Sequence, residues 1–317
     1  NRVDAIVSTG PPHSMHLIAK ELHRKTGIRW VADFRDPWTR IFYFKHLPTT
    51  SWAKKRHEKL ELAVVSEADA VVSVTNQMTQ EFATLLNSGV ENSRLYTVCN
   101  GYDEDDFDSV EVNPDRHFTL LHTGLFSADG NPVRLWKVLA GISSENKDFA
   151  EDLRIRLVGK VDREVISSIV ESGLSHNLEN LGYLPHSDIP GLQKGCWGLL
   201  LPLRDEPESK GILTGKFFEY LASERPIVAF GPEDGEVAKV LGETSSGVIF
   251  DWNEEEKLKS HVIRLYEDYR SSNWIRNIDK GAISKYSRRE LTGEMVAVSP
   301  LDAAVIVTRF RNVAERL

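Results

Sequence analysis

The segment Thr214-Gly215-Lys216-Phe217-Phe218-Glu219-Tyr220 holds the densest chemistry in this 317-residue chain. Gly215 lets a ligand approach the backbone closely. A helix is expected to begin at that glycine, with Thr214 just before it. Its free N–H groups and positive dipole end then suit a diphosphate. Lys216 adds a point charge for phosphate oxygens. Glu219 falls three residues later on the same helix face, where a carboxylate can accept two hydrogen bonds from vicinal hydroxyls such as those of ribose. The same spacing also fits an ordinary exposed lysine–glutamate pair on a solvated helix, so the surroundings must decide.

Other candidates sit where apolar runs end. His122-Thr123-Gly124 closes one such run, and Gly124 permits close approach to phosphate. Lys160 follows Gly159 at another and fits either a charge donor or a loop-tip lysine. Gly182-Tyr183-Leu184-Pro185 ends a third; Tyr183 can stack on a planar ring or be a half-buried aromatic. Near the start, Gly10-Pro11-Pro12-His13-Ser14 forms a strand-to-helix turn in which His13 can hydrogen-bond a hydroxyl or phosphate. Asp33-Phe34-Arg35-Asp36 places two carboxylates around an arginine, a pattern of a site or of a buried network. Asp36 or Arg35 can orient a substrate, while Asp33 fits a partner for the backbone or for Arg35.

These positions need a scaffold of alternating strands and helices. Strands are expected at 4–9, 29–33, 70–74 and 94–98, with helices at 14–25, capped by Ser14, and 76–86. The acidic, aperiodic stretch 103–115 with Pro114 marks a domain boundary. A second series follows, with strands at 118–123, 153–158, 178–183, 197–201, 226–230 and 247–250. Helices fall between them at 132–140, 163–172, 187–193, 216–223 and 236–241, then at 254–269 and 275–286. Such alternation is the signature of a parallel sheet clad in helices, which binds ligands at the carboxyl ends of its strands.

Composition narrows the class. A hydrophobic content of 41% over 317 residues can fill two cores. No apolar run is long enough to span a bilayer. The two cysteines, Cys99 and Cys196, are far apart and read as buried reduced thiols. The ten histidines follow no zinc spacing, so no metal site is expected. No GxSxG elbow or convincing dinucleotide fingerprint is present, so no cofactor is expected. Residues 1–60 carry 12 Lys and Arg against 5 Asp and Glu, a charge of +7 that leaves −15 on the remainder of a −8 chain. The acidic balance argues against a nucleic-acid binder. The basic start interleaves Trp38, Phe42, Tyr43, Phe44 and Trp52, so residues 38–60 can rest on an anionic membrane surface. They equally fit a solvated helix face beside core aromatics.

Several stretches, taken in order, resemble the GT-B glycosyltransferases of the retaining "group 1" or family-4 kind. They are Ser8-Thr-Gly-Pro-Pro-His-Ser14, Trp30-Val-Ala-Asp-Phe-Arg-Asp-Pro-Trp38, Leu121-His-Thr-Gly124, Gly182-Tyr-Leu-Pro-His-Ser-Asp-Ile189, Thr214-Gly-Lys-Phe-Phe-Glu-Tyr-Leu221 and Tyr286-Ser-Arg-Arg-Glu-Leu-Thr292. The resemblance implies an α/β fold of two facing, doubly wound Rossmann-like domains, the first incomplete. Residues 1–113 would be the acceptor domain, 114–292 the nucleotide-sugar domain and 293–317 an atypical tail that loses the usual helical finish. The resemblance puts Lys216 on the donor phosphates, Glu219 on the ribose and the Tyr183–Leu184 segment on the base. It puts His13, Arg35 and Asp36 on the acceptor side, with His13, Asp36 and Lys216 as the catalytic candidates. The chain departs from the family pattern at two points: Gly211 stands eight positions before Glu219, where an acid is usual, with Glu208 nearby; Leu125 replaces the usual arginine after Gly124.

The implied activity is metal-independent transfer of a hexose from a nucleotide sugar to a glycan or lipid-linked acceptor. It would serve cell-surface polysaccharide synthesis such as lipopolysaccharide or capsule, in the cytoplasm or on the inner face of the membrane. A non-hydrolysing sugar-nucleotide 2-epimerase on the same fold, or a non-catalytic nucleotide-binding remnant, are the alternatives.

Overall fold

A computed structural model describes residues 3–41, 44, 46–87, 93–273 and 278–298. The elements run β1 (Ala5–Gly10), α1 (Ser14–Thr26), β2 (Arg29–Phe34), α2 (Ser51–Glu67), β3 (Ala70–Ser73), α3 (Asn76–Leu85), β4 (Leu95–Thr97) and α4 (Asp105–Asp108). They continue with β5 (Phe118–Thr123), α5 (Val133–Glu145), α6 (Lys147–Asp152), β6 (Leu153–Val158), α7 (Arg163–Glu171), β7 (Leu178–Gly182), α8 (Ile189–Gly195) and β8 (Gly198–Pro202). The last are α9 (Gly215–Ala222), β9 (Ile227–Phe230), α10 (Glu236–Thr244), β10 (Gly247–Phe250), α11 (Glu255–Arg270), α12 (Lys280–Ser284) and α13 (Arg288–Val298).

Two compact units form, with breaks at Asn100/Gly101 and Ser287/Arg288. The first break precedes the expected boundary at 113, because the chain from Gly101 onward already packs with the second unit. Lys194 of α8, for instance, donates to the carbonyl of Phe107. The first unit takes back α13, so residues 293–298 of the expected atypical tail are helical after all. The rest of that tail lies outside the described residues.

The first unit holds a parallel sheet in the order β1-β2-β3-β4. Trp30, Ala32 and Phe34 of β2 point to one face, where they meet Ala19 of α1, Val64 and Val65 of α2, and Met78 and Phe82 of α3. On the other, Val31 and Val72 pack with Leu291 of α13. Caps fix where these helices start. Thr50 accepts from the Ala53 N–H and Thr75 from the Met78 N–H. Two sequence expectations change here. Ser14 is the first helical residue rather than the cap, which is His13, and His13 makes no side-chain capping bond. Helix α2, rich in Lys and Glu, has little amphipathic contrast and no sequence expectation announced it.

The second unit holds six parallel strands in the order β10-β9-β8-β5-β6-β7. Every residue of β5 is buried, as a central parallel strand requires. One face carries Leu135 and Leu139 of α5, Val165 and Ile169 of α7, and Leu258 and Val262 of α11. The order reverses between β5 and β8, so the loops leaving these neighbours turn to opposite faces and open a crevice at their carboxyl ends. The helix expected over 275–286 is only the short α12; residues 274–277 lie outside the described residues. Among the described residues, no helix is long and apolar enough to cross a membrane.

Candidate functional site

The crevice is built on glycines. Strands β5, β6 and β7 are neighbours, and they end on Gly124 (φ +94°), Gly159 (φ +109°) and Gly182 (φ +65°). Only glycine takes such angles freely. The Gly124 N–H donates to the Val158 carbonyl at 2.7 Å, and the Gly159 N–H to the Gly182 carbonyl at 2.7 Å. A Cβ on Gly159 would lie 2.5 Å from the Gly124 carbonyl oxygen. The three strand ends therefore lie edge to edge with no side chain on the glycines, leaving a bare backbone shelf.

Helix α9 starts beside that shelf. The Thr214 hydroxyl caps it by accepting from the Phe217 N–H at 3.3 Å. Gly215, the first helical residue, is exposed, and a Cβ there would meet nothing within 4 Å. The Lys216 side chain folds back over Gly124, whose Cβ, if present, would stand 3.2 Å from Lys216 Cε. The Lys216 ammonium donates to His122 Nε2 and to the Leu125 carbonyl, both at 3.1 Å. Burial lowers the lysine pKa to about 8, against the pull of Glu219. His122 is fully buried, and burial first, then the Lys216 charge, lowers its pKa to about 3. A neutral ring thus faces a cation.

The next turn of α9 is tied to the same strand. Tyr220 is fully buried, and its hydroxyl accepts from the Thr123 N–H at 2.9 Å. Gln193 of α8 donates to Thr123 Oγ1 at 3.1 Å and to Glu219 Oε2 at 3.4 Å. Glu219 is half-buried and held by its neighbour, so it is more than one member of a solvated pair. No ion pair joins Lys216 to Glu219 among the described residues; each is engaged separately.

The structure therefore gathers Gly124, Thr214, Gly215, Lys216 and Glu219 at one strand end. Lys160 is exposed beyond Gly159, with its carbonyl accepting from the Phe126 N–H at 2.9 Å. Tyr183 is 81% exposed and Leu184 half-buried, so the half-buried reading of Tyr183 does not hold. Leu125, in place of the usual arginine, is 56% exposed and contributes its carbonyl. Glu208 lies in the single turn Pro207–Gly211 that leads into Thr214. Sequence reasoning missed His122 and Gln193 as members of the site. Nothing in their types announced it; only the sheet order brings them under Lys216 and Glu219.

In the first unit, Arg35 Nε donates to Asp33 Oδ2 at 2.9 Å and Arg35 Nη1 to Asn100 Oδ1 at 3.1 Å. The Thr9 hydroxyl also donates to Asp33 Oδ2. Asp33 thus serves Arg35, as expected. Asp36 is exposed, yet partial desolvation raises its pKa. His13 stacks on Trp38 with ring centroids 4.9 Å apart, and burial, then His57, lowers its pKa to about 4. Of the expected membrane-facing aromatics, Trp38 and Phe44 are buried, so the packing reading holds for them. Trp52 is 72% exposed with Arg56 over its ring; Phe42 and Tyr43 lie outside the described residues.

Residues 118–268 match the family model described as glycosyl transferases group 1. Over these residues the chain is similar to the group 1 glycosyl transferases. The match covers β5 through most of α11 and contains the whole shelf and α9. A sucrose-phosphate synthase from Thermosynechococcus elongatus shares 15% identity over 99% of this chain and 74% of that one, with a TM-score of 0.64. The HepE protein of Anabaena, solved with UDP-glucose, shares 14% identity over 98% of this chain and 79% of that one, with a TM-score of 0.61. A Listeria monocytogenes protein assigned as a UDP-N-acetylglucosamine 2-epimerase shares 13% identity over 93% and 73%, with a TM-score of 0.56. These likenesses establish the GT-B fold. No curated protein matches the chain in sequence.

Proposed function

We propose that the chain transfers a hexose from a nucleotide sugar to a hydroxyl of a glycan or lipid-linked acceptor in cell-surface polysaccharide synthesis, with retention and without a metal. The observation that carries the reading is the Lys216 ammonium anchored at the carboxyl end of β5 beside the open N-terminus of α9. In this reading the leaving diphosphate lies on the glycine shelf. The helix N–H groups and Lys216 stabilise the charge that builds up as the glycosidic bond breaks. Glu219 holds the ribose, and Tyr183 and Leu184 border the base. His13, Arg35 and Asp36 act on the acceptor side. His13 is neutral at pH 7, since its pKa is lowered to about 4, so it can accept a proton or a hydrogen bond there.

The test incubates the protein with a panel of UDP-, GDP-, dTDP- and ADP-sugars, with and without acceptor. Transfer or slow donor hydrolysis is expected with one of them, and a 2-isomerised donor without acceptor would replace this reading with the epimerase. Donor affinity unchanged in both Lys216→Ala and Glu219→Ala would remove the site assignment. Contact with an anionic membrane belongs to the proposal as well, now centred on Trp52 with Lys55, Arg56 and Lys59, all exposed on α2.

A further inference from the structure

Lys216 is a long, flexible cation whose usefulness depends on where its ammonium sits. On a bare helix start it would spread over many rotamers in water. Here two acceptors fix it, His122 Nε2 and the Leu125 carbonyl, both at 3.1 Å. The carbonyl is an acceptor in any circumstance. The ring is one only in a particular tautomer, and the structure decides which. Both ring nitrogens lie near a carbonyl that can only accept, Nδ1 3.0 Å from Leu200 of β8 and Nε2 3.2 Å from Leu125, but Nε2 also lies 3.1 Å from the Lys216 ammonium, which can only donate, so a proton on Nε2 would point at another donor. The proton therefore sits on Nδ1, and Nε2 offers its lone pair to Lys216. The ring is wedged on its other side by Phe126, with centroids 4.3 Å apart. An ammonium has three N–H bonds, so two partners leave one for a ligand.

We propose that His122 is a positioning residue for the donor diphosphate: tied to the Leu200 carbonyl through Nδ1, it accepts from Lys216 through Nε2 and holds that ammonium over Gly124, with one N–H turned to the ligand. His122 touches no ligand itself and acts through Lys216. The assignment rests on the nucleotide-sugar reading of the shelf. It also explains a fully buried histidine in a strand whose core residues include Phe118, Leu120 and Leu121.

The test is a double-mutant cycle on the binding of UDP, GDP, dTDP and ADP, followed by calorimetry on the wild-type protein, His122→Phe, His122→Gln, His122→Asn, Lys216→Ala and the His122→Phe/Lys216→Ala pair. His122→Phe keeps a ring but removes the acceptor, and it should weaken the diphosphate that wild type binds by roughly tenfold. His122→Gln returns an acceptor near the Nε2 position and should recover most of that loss. His122→Asn reaches Leu200 but not Lys216 and should behave like His122→Phe, which keeps the test open if the Phe variant does not fold. In the Lys216→Ala background the Phe substitution should have little further effect on affinity. A Lys216→Ala protein that loses affinity while His122→Phe and His122→Asn bind like wild type would overturn the role of His122 and leave the donor site standing. Equal losses from His122→Phe with and without Lys216 would reduce His122 to ordinary core packing. If Lys216→Ala binds every nucleotide as wild type does, or wild type binds none, the donor-site reading falls and this inference falls with it.

Discussion

Both units place a Thr-Gly pair at the end of a strand, and the two pairs have opposite surroundings. In the first unit Thr9-Gly10 closes β1, and Gly10 is buried beneath the rings that follow it, while Pro11, Pro12 and Ser14 of the turn stay exposed. His16 is fully buried with Nδ1 2.8 Å from Ser8 Oγ, and the rings of His13, His16, Phe34 and Trp38 lie on one another. A Cβ on Gly10 would stand 2.6 Å from His16 Nε2 and 2.8 Å from His13 Nδ1. In the second unit Thr123-Gly124 closes β5, and the turn after it is open above with a lysine laid across it. Topology accounts for the difference. The described strands of the first sheet follow chain order and α1, α2 and α3 all pack on one face, so no pair of neighbours sends its loops apart. The second sheet reverses between β5 and β8, and the space left there is where the charges gather.

The largest expected effect is on the shelf itself. Gly159→Ala should destabilise the protein by about 3 kcal/mol, from a forbidden φ and a backbone clash together. Gly27→Ala is the matched control, at φ +67° with nothing within 4 Å of a Cβ, and should lose only about 1 kcal/mol. Equal losses in urea unfolding would mean that the shelf is not tightly packed. Next is Lys216→Ala, expected to weaken the bound nucleoside diphosphate by roughly thirtyfold through loss of a charge-assisted contact. Arg35→Ala in the first unit should leave that affinity unchanged. A reversal of the two results, read by calorimetry, would move the donor site to the other sheet.

Acid should act on both strand ends in the same direction. Burial lowers His16 to about 4 and His122 to about 3, against an ordinary value of 6.5. Between those values and 6.5 the unfolded chain takes up protons that the folded chain refuses. Their contribution is complete above pH 6.5 and shrinks as the pH falls, by roughly 2 kcal/mol for each histidine at pH 5. Urea unfolding at pH 7 and pH 5 should show it, and His16→Gln or His122→Gln should each flatten the dependence. A wild type equally stable at both pH values would contradict the burial of neutral rings.

Smaller still, Tyr220→Phe leaves the Thr123 N–H without its acceptor and should lower stability by about 1–2 kcal/mol. The smallest effect belongs to Trp52→Ala, within about 0.5 kcal/mol, because the side chain is 72% exposed. Its sedimentation with anionic vesicles should fall below wild type; a wild type that ignores such vesicles would end the membrane proposal.

Strand and helix positions were largely readable in the letters. All ten strands of the described residues overlap the apolar runs expected to form them, and the second sheet has the six strands expected. What failed to read had local causes. Helix α2 carries charge nearly all round, so no apolar stripe marked it. The break at Asn100 was hidden because an acidic loop looks like a linker whether or not it packs. Lys216 and Glu219 were legible from their place at a helix start. The burial of Trp38 and Phe44 was not, since an aromatic beside lysines reads equally as core or as surface.

The sequence by itself determined the order of strands and helices and the residues with chemistry at their ends, because periodicity, caps and breakers act over a few neighbouring residues. Only the tertiary structure decided which strand ends become a site. Thr9-Gly10 and Thr123-Gly124 are alike as letters; the reversal between β5 and β8 leaves room for a lysine and a helix start over Gly124, and four packed rings cover Gly10. That choice depends on the sheet order, and with it on His122 meeting Lys216 across 94 residues of chain and Gln193 meeting Glu219 across 26, a proximity that no local pattern encodes.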